Sequence, residues 1–168
     1  MVMANIKRLA RHLLMTHWQV RRTFPRDTLL AIEQAIAASE TTHIGQLQFA
    51  VEGALSLAAL VRGLTARERA IEVFSQLHVW DTEHNNGVLI YLLLADRSVE
   101  IVADRGIHAR VRQDEWDAIC REMEVAFRRM EYQRGVIEGI QIIGQHLERH
   151  FPARESGENE LRDKPVIL

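Results

Sequence analysis

The sequence predicts an α/β fold: a small mixed β-sheet flanked by helices on both faces, with an extra amphipathic helix at the N-terminus. Three observations predict it. Asn85-Asn86-Gly87 signals a turn and leads into seven apolar residues, Val88 to Leu94. An unbroken apolar run of that length, bounded by turn residues, suits a strand buried on both faces. The chain then reverses at Ala95-Asp96-Arg97-Ser98 and returns from Val99 to Ala103, with Val99 and Ile101 on one side and Ser98, Glu100 and Val102 on the other. That alternation is a half-buried antiparallel partner. Finally, residues 46–52 put Leu47, Phe49 and Val51 on one face, and a helical pattern separates them from the buried run. Strand, helix and strand in that order imply parallel strands joined by a right-handed crossover, which makes the sheet mixed.

The remaining elements follow from periodicity and stop signals. Ile6, Leu9, Leu13 and His17 recur at helical spacing, widened by Ala10 and Leu14, and Pro25 ends that helix. A second helix begins near Asp27 or Thr28 and runs through Leu29, Leu30, Ile32, Ala35 and Ile36, with Gly45 as a stop. Thr65-Ala66-Arg67-Glu68 fits a capping box for a helix with Ala70, Val73, Phe74 and Leu77 on one face. The acidic turn Gln113-Asp114-Glu115 opens another, with Trp116, Ile119, Cys120, Met123, Phe127 and Met130 on one face. A last helix carries Val136, Ile140, Ile143 and Leu147, stops at Phe151-Pro152, and uses Gly135, Gly139 and Gly144 for close packing. The expected organisation is a basic helix at 1–26, an α/β domain at 27–152 and a flexible tail at 153–168.

Composition narrows the function. One domain of 168 residues buries a core without staples, and the single Cys120 excludes an internal disulfide and a Cys-rich zinc site. Residues 1–26 carry six cations and no acid, so the rest must sum to −8 for the net −2. Such a basic arm either docks on its own acidic body or meets phosphate, an anionic membrane or an acidic partner. No run approaches the roughly 20 apolar residues a bilayer needs, and no signal peptide is recognisable. A cytoplasmic protein is expected, membrane-peripheral at most, with no nucleic-acid partner.

Most catalytic signatures are absent: no Walker or dinucleotide loop, no His-Glu-x-x-His, no Gly-x-Ser-x-Gly. Cys120 has no arginine six residues on, and His108 comes too late after Arg105 for a histidine-phosphatase motif. What remains is a set of hard oxygens. Asp81, Glu83, Asn85 and Asn86 share one loop, and Asp104 closes the hairpin at the same end. Carboxylates with amide carbonyls suit calcium, while magnesium takes fewer of them and keeps waters. The alternative is that Asn86-Gly87 only turns the chain and the acids are solvated. The distal glutamate of an EF-hand loop is missing. Glu40 and His43 at helical spacing are too few ligands for a transition metal, and His12 and His17 read as basic helix surface.

With these residues in view, the chain resembles the TPM-domain family, which includes thylakoid-lumen acid phosphatase-like proteins and bacterial relatives. The resemblance is carried by Glu40 to Glu52, by Phe74 to Asp81, by Asn85-Asn86-Gly87-Val88-Leu89 and by Ala95 to Ile107, with the spacing from Tyr132 to Ile137 also matching. It covers about residues 28–151. It implies a small mixed sheet between helices and a divalent cation, Ca2+ or Mg2+, at the strand-end loops. Carried over, it places Asn85, Asn86, Asp104 and Glu40 near that ion. Two departures stand out: the family's leading acidic segment is not recognisable, and its Val-x-Gly-Tyr-Gly is Val102-Ala103-Asp104-Arg105-Gly106 here.

Two functions are therefore expected. The first is metal-assisted hydrolysis of a phosphomonoester, with Asp81, Asn85, Asn86 and Asp104 holding the ion and Arg105 stabilising the developing charge. The second is a non-catalytic module that docks on a protein partner or an anionic membrane through the basic N-terminal helix.

Overall fold

The computed structural model describes residues 2–153 and 159–168, with side chains from Ile6 onward. The central layer is a four-stranded sheet in the order β3-β2-β1-β4. Strand β1 (Gln46–Glu52) pairs parallel with β2 (Gly87–Leu93), and β2 pairs antiparallel with β3 (Ser98–Ala103). All seven residues of β2 are buried, as the unbroken apolar run requires. Leu94 to Arg97 close the hairpin, with Arg97 in the left-handed region (φ 52°).

The two sheet faces have separate cores. On one, Leu47, Phe49, Val88, Ile90, Val99 and Ile101 meet α3 (Arg26–Ser39), α7 (Gln113–Arg128) and α8 (Tyr132–His150). On the other, Ala50, Leu89, Tyr91, Leu93 and Val102 meet α4 (Leu57–Val61) and α5 (Ala66–Gln76). Thr65 caps α5 as its capping box predicts: the Glu68 N–H donates to Thr65 Oγ1 at 3.1 Å and the Thr65 N–H to Glu68 Oε2 at 2.8 Å. The α8 glycines sit where packing leaves no room, since a Cβ at Gly139 would lie 2.6 Å from Met123 Sδ.

Three expectations are corrected. The N-terminal helix is two helices, α1 (Val2–Leu14) and α2 (His17–Thr23), because Thr16 and Gln19 form a capping box that starts a new one. Val20 of α2 and Phe24, its C-cap, lie in the main core, so α2 is part of the domain. Nor is the described end of the chain a free tail. Gln46 Oε1 accepts the Glu160 and Leu161 N–H groups, Gln48 Nε2 donates to Lys164 O, and β4 (Val166–Ile167) pairs parallel with β1. Leu161, Val166 and Leu168 complete the second core. Residues 154–158 of that expected tail lie outside the described residues.

Candidate functional site

The loop entering β2 and the loop leaving β3 meet at one end of the sheet. Asn85 adopts the left-handed conformation (φ 51°) that Asn tolerates, and its carbonyl accepts the Gly106 N–H at 2.9 Å. The backbones approach so closely there that a Cβ on Gly106 would lie 2.5 Å from Asn85 O and 2.7 Å from His84 O. Gly87 is needed for a similar reason and not for the turn itself: it has already entered β2, and a Cβ would collide with the Val79 carbonyl.

Asn86 is fully buried. Its N–H donates to Thr82 Oγ1 at 3.1 Å, and its Nδ2 donates to Ile44 O at 3.0 Å, tying this loop to the chain that enters β1. Asp104 donates its N–H to Gly87 O at 2.8 Å and starts the short helix α6 (Arg105–His108), its Oδ1 accepting the Arg105 N–H at 2.7 Å. The second side-chain oxygen of each residue is different. Asn86 Oδ1 and Asp104 Oδ2 are both buried and accept no hydrogen bond. Arg105 is exposed beside them, with Nε donating to Asn85 Oδ1 at 2.8 Å and the rest of its guanidinium unengaged by the site. The structure thus brings Asn85, Asn86, Asp104 and Arg105 together.

It does not bring Asp81 or Glu40 into that group. Asp81 is exposed after a turn through His78 (φ 55°), and lines a 580 Å³ groove against Leu161 and Lys164 of the C-terminal segment. Glu40 lies at the same end of the sheet, but its Oε1 accepts the Leu47 N–H at 2.9 Å and its carboxyl faces Asp163 across a 170 Å³ cavity. Burial pushes the Glu40 carboxyl up to about 8, and the neighbouring Asp163 adds to that. Glu40 is therefore a neutral acid bonded to backbone over much of the pH range. Among the described residues, no group of three or more His, Cys, Asp or Glu side chains is placed to hold a metal ion.

One pair escaped the reading of the sequence. Ser39 Oγ lies 2.9 Å from His43 Nε2, and His43 Nδ1 lies 3.0 Å from Gly45 O. Because a carbonyl only accepts, Nδ1 carries the proton and Nε2 accepts from the hydroxyl. This is the relation of a nucleophile to its base, and burial lowers the imidazole's proton affinity. Ser39, however, is packed against Gly144 of α8. Its spacing from His43, four residues along the chain, was the available signal. The pair ties the end of α3 to the loop entering β1 and leaves His43 no free nitrogen for a metal. His12, expected on a basic surface, is likewise buried: its Nδ1 accepts the Leu55 N–H at 3.0 Å. A cavity of 730 Å³ lies at the opposite end of α3, between Thr28, Tyr132 and Arg134, away from the hairpin site.

A mixed four-stranded sheet between helices, with amide and carboxylate oxygens at the hairpin end, defines an α/β domain of TPM type. The model of the TPM domain matches residues 21–146, and the chain belongs to the TPM-domain family. Among solved structures it is similar to the NMR structure of the BA42 protein from the psychrophilic bacterium Bizionia argentinensis, with 27% identity and a TM-score of 0.75 over 84% of this chain and 93% of that one. No curated protein matches the chain. Among the described residues, no helix is long and apolar enough to cross a membrane.

Proposed function

We propose that the hairpin end binds a divalent cation, Ca2+ or Mg2+, and that the chain hydrolyses phosphomonoesters there. The observation that carries this reading is the pair of buried, unpartnered oxygens, Asn86 Oδ1 and Asp104 Oδ2. A buried acceptor with no donor costs about 1–3 kcal/mol, so two of them on adjoining strand ends favour a ligand that supplies positive charge. One carboxylate with amide and backbone carbonyl oxygens is a hard donor set, suited to an ion that keeps several waters. When bound, such an ion supplies charge that polarises a phosphoryl oxygen and acidifies water. Arg105, held at Nε by Asn85, presents its remaining N–H groups for phosphate oxygens. Asp104 orients the first turn of α6 and with it the arginine.

Thermal unfolding during Ca2+ and Mg2+ titrations tests the reading. At about 100 times Kd a native-state ligand adds about 2.7 kcal/mol, so the midpoint should rise by about 5–10 °C for a chain of this size. Asp104→Asn should lose the rise. Turnover of p-nitrophenyl phosphate should need the ion and fall at least a hundredfold in Arg105→Ala, about the loss seen for a single charge-stabilising donor. If neither ion moves the midpoint, the cation site is wrong. A rise without turnover removes hydrolysis and leaves cation binding. The second reading, a docking module, is favoured by a separate observation: the apolar side of α1 faces outward.

A further inference from the structure

Helix α1 sits on the body the wrong way round for an ordinary amphipathic helix. Its polar side is turned inward. Arg8 Nε lies 2.9 Å from Asp96 Oδ2, Arg11 reaches Asp96 Oδ1 at 3.3 Å, and the buried His12 Nε2 lies 3.1 Å from the same oxygen. Arg8 also donates to Leu64 O at 2.9 Å, and the Leu55 N–H donates to His12 Nδ1. A single carboxylate in the turn after β2 thus fixes the helix by its basic edge. The opposite side carries Ile6, Leu13 and Leu14, each more than half exposed. Trp18 on α2 and Leu57 and Val61 on the adjacent α4 are exposed to the same degree. In a monomer such an apolar surface marks an interaction site.

We propose that this face docks on an anionic lipid bilayer, with α1 lying in the plane of the interface. The proposal extends the docking reading by naming the occupant and the side of the helix that meets it. Charge complementarity selects the occupant. Lys7, Arg21, Arg22 and Arg62 are exposed around the apolar side chains, and residues 1–26 contain no acid. The nearby Asp96 is taken up by Arg8 and Arg11. A two-fold contact between copies would set this cationic rim against itself, since such an interface pairs a patch with its own image. An anionic headgroup layer meets both features at once: apolar side chains reach the acyl boundary while cations remain among phosphates. Trp18 suits that boundary. Its ring has the Arg22 guanidinium 5.2 Å from its centroid, an apolar body beside a cation at the depth where both are favoured. Helix α1 spans only 13 residues and meets the headgroups through a few exposed cations, so attachment is reversible and weakens with salt.

Sedimentation with vesicles tests this on the full chain. The protein should pellet with phosphatidylcholine vesicles containing about a third phosphatidylserine at low salt, not with phosphatidylcholine alone. Arg21→Glu with Arg22→Glu should weaken binding by about tenfold or more, and Leu13→Glu with Leu14→Glu should abolish it. Those side chains are exposed, and an unchanged circular dichroism spectrum will confirm folding; Trp18→Ala gives a milder loss should the double variant misfold. In a Trp80→Phe background, where the buried Trp116 emits at the blue end already, the exposed Trp18 component should shift to the blue on the anionic vesicles. The proposal is overturned if the protein stays in the supernatant at low salt, or if Leu13→Glu with Leu14→Glu binds as well as wild type. A wild-type dimer that this pair converts to a monomer, with no vesicle binding, also overturns it while leaving a docking face for a second copy. A monomer that binds no vesicle overturns the proposal too, and leaves the docking reading with a protein partner alone. The cation site shares none of these residues, so its own titration stands apart from either result.

Discussion

The two ends of the sheet each carry a carboxylate, and the two are treated in opposite ways. At the end of β1, Glu52 has donors on both oxygens: Arg69 donates through Nε at 2.8 Å and a second nitrogen at 3.3 Å, and Tyr91 OH donates at 2.7 Å. Burial, and then the hydrogen bond to Glu52, push the Tyr91 hydroxyl well above its ordinary value, so it stays a donor at any working pH. At the hairpin end, Asp104 has one oxygen on a backbone N–H and one on nothing, beside an Asn86 oxygen in the same state. A carboxylate with donors on both oxygens is part of the fold. One kept short of donors near an exposed arginine is available for a ligand. Glu40 is the intermediate case, bonded to the Leu47 N–H but set against Asp163.

The same chemical change, carboxylate to amide, separates the three. The largest effect is expected for Glu52→Gln. Arg69 and Glu52 are 18% and 12% exposed, so the amide leaves a mostly buried guanidinium with only the half-exposed Glu72, 3.0 Å away, as counter-charge. Removing one partner of a buried pair costs about 3–5 kcal/mol, and Glu72 holds the loss to the lower end of that range. Urea unfolding near neutral pH should show the loss as a lower midpoint with an unchanged slope. A loss under about 1 kcal/mol would mean that solvent already screens the pair.

Glu40→Gln should act in the other direction and only as pH rises. The folded-state value of about 8 lies above the ordinary 4.5, so the native state holds this proton more tightly than the unfolded chain. Its contribution is complete below about pH 4.5 and is lost progressively as pH rises through about 8, at up to ~1.4 kcal/mol per pH unit. Asp163, Asn159, Gln46 and the Leu47 N–H are the groups that face the carboxyl in the described structure, with His43 at the same cavity. Unfolding free energies from pH 5 to 9 should therefore decline more steeply in the wild type than in Glu40→Gln. Parallel curves would show that Glu40 ionises against Asp163 without cost.

These three environments were unequally legible in the sequence. The hairpin was readable because strand alternation and turn chemistry are local. Asn85, Asn86, Asp104 and Arg105 meet for the same reason, lying at corresponding ends of two paired strands. Asp81, three residues past the left-handed His78, lines the groove against Leu161 and Lys164, and nothing in its spacing signals that. The state of Glu40 rests first on its burial and then on Asp163, far along the chain. Nor was β4 legible: two paired residues make too short a pattern to read, and they are anchored by Gln46 and Gln48. The split between α1 and α2 was readable, since Thr16-x-x-Gln19 is a capping box in plain sequence. The outward apolar side of α1 was not, because periodicity finds a stripe but not the direction it faces. That direction is set by Asp96, on the opposite side of the hairpin from the polar loops.

The smallest effect is expected for Asp104→Asn measured in chelator, and it bears most directly on why the two ends differ. Asn retains an oxygen for the Arg105 N–H, and Asn is as good a helix cap as Asp. The change removes a buried negative oxygen that has no donor, and with it a desolvation cost. Stability in chelator should stay within about 0.5 kcal/mol of wild type or rise slightly. If Asp104 were instead a structural acid like Glu52, the variant would lose several kcal/mol with or without an ion. Wild type and variant should then separate only when Ca2+ or Mg2+ is added. A destabilised variant in chelator would assign Asp104 to the fold and leave the open oxygen as a consequence of packing.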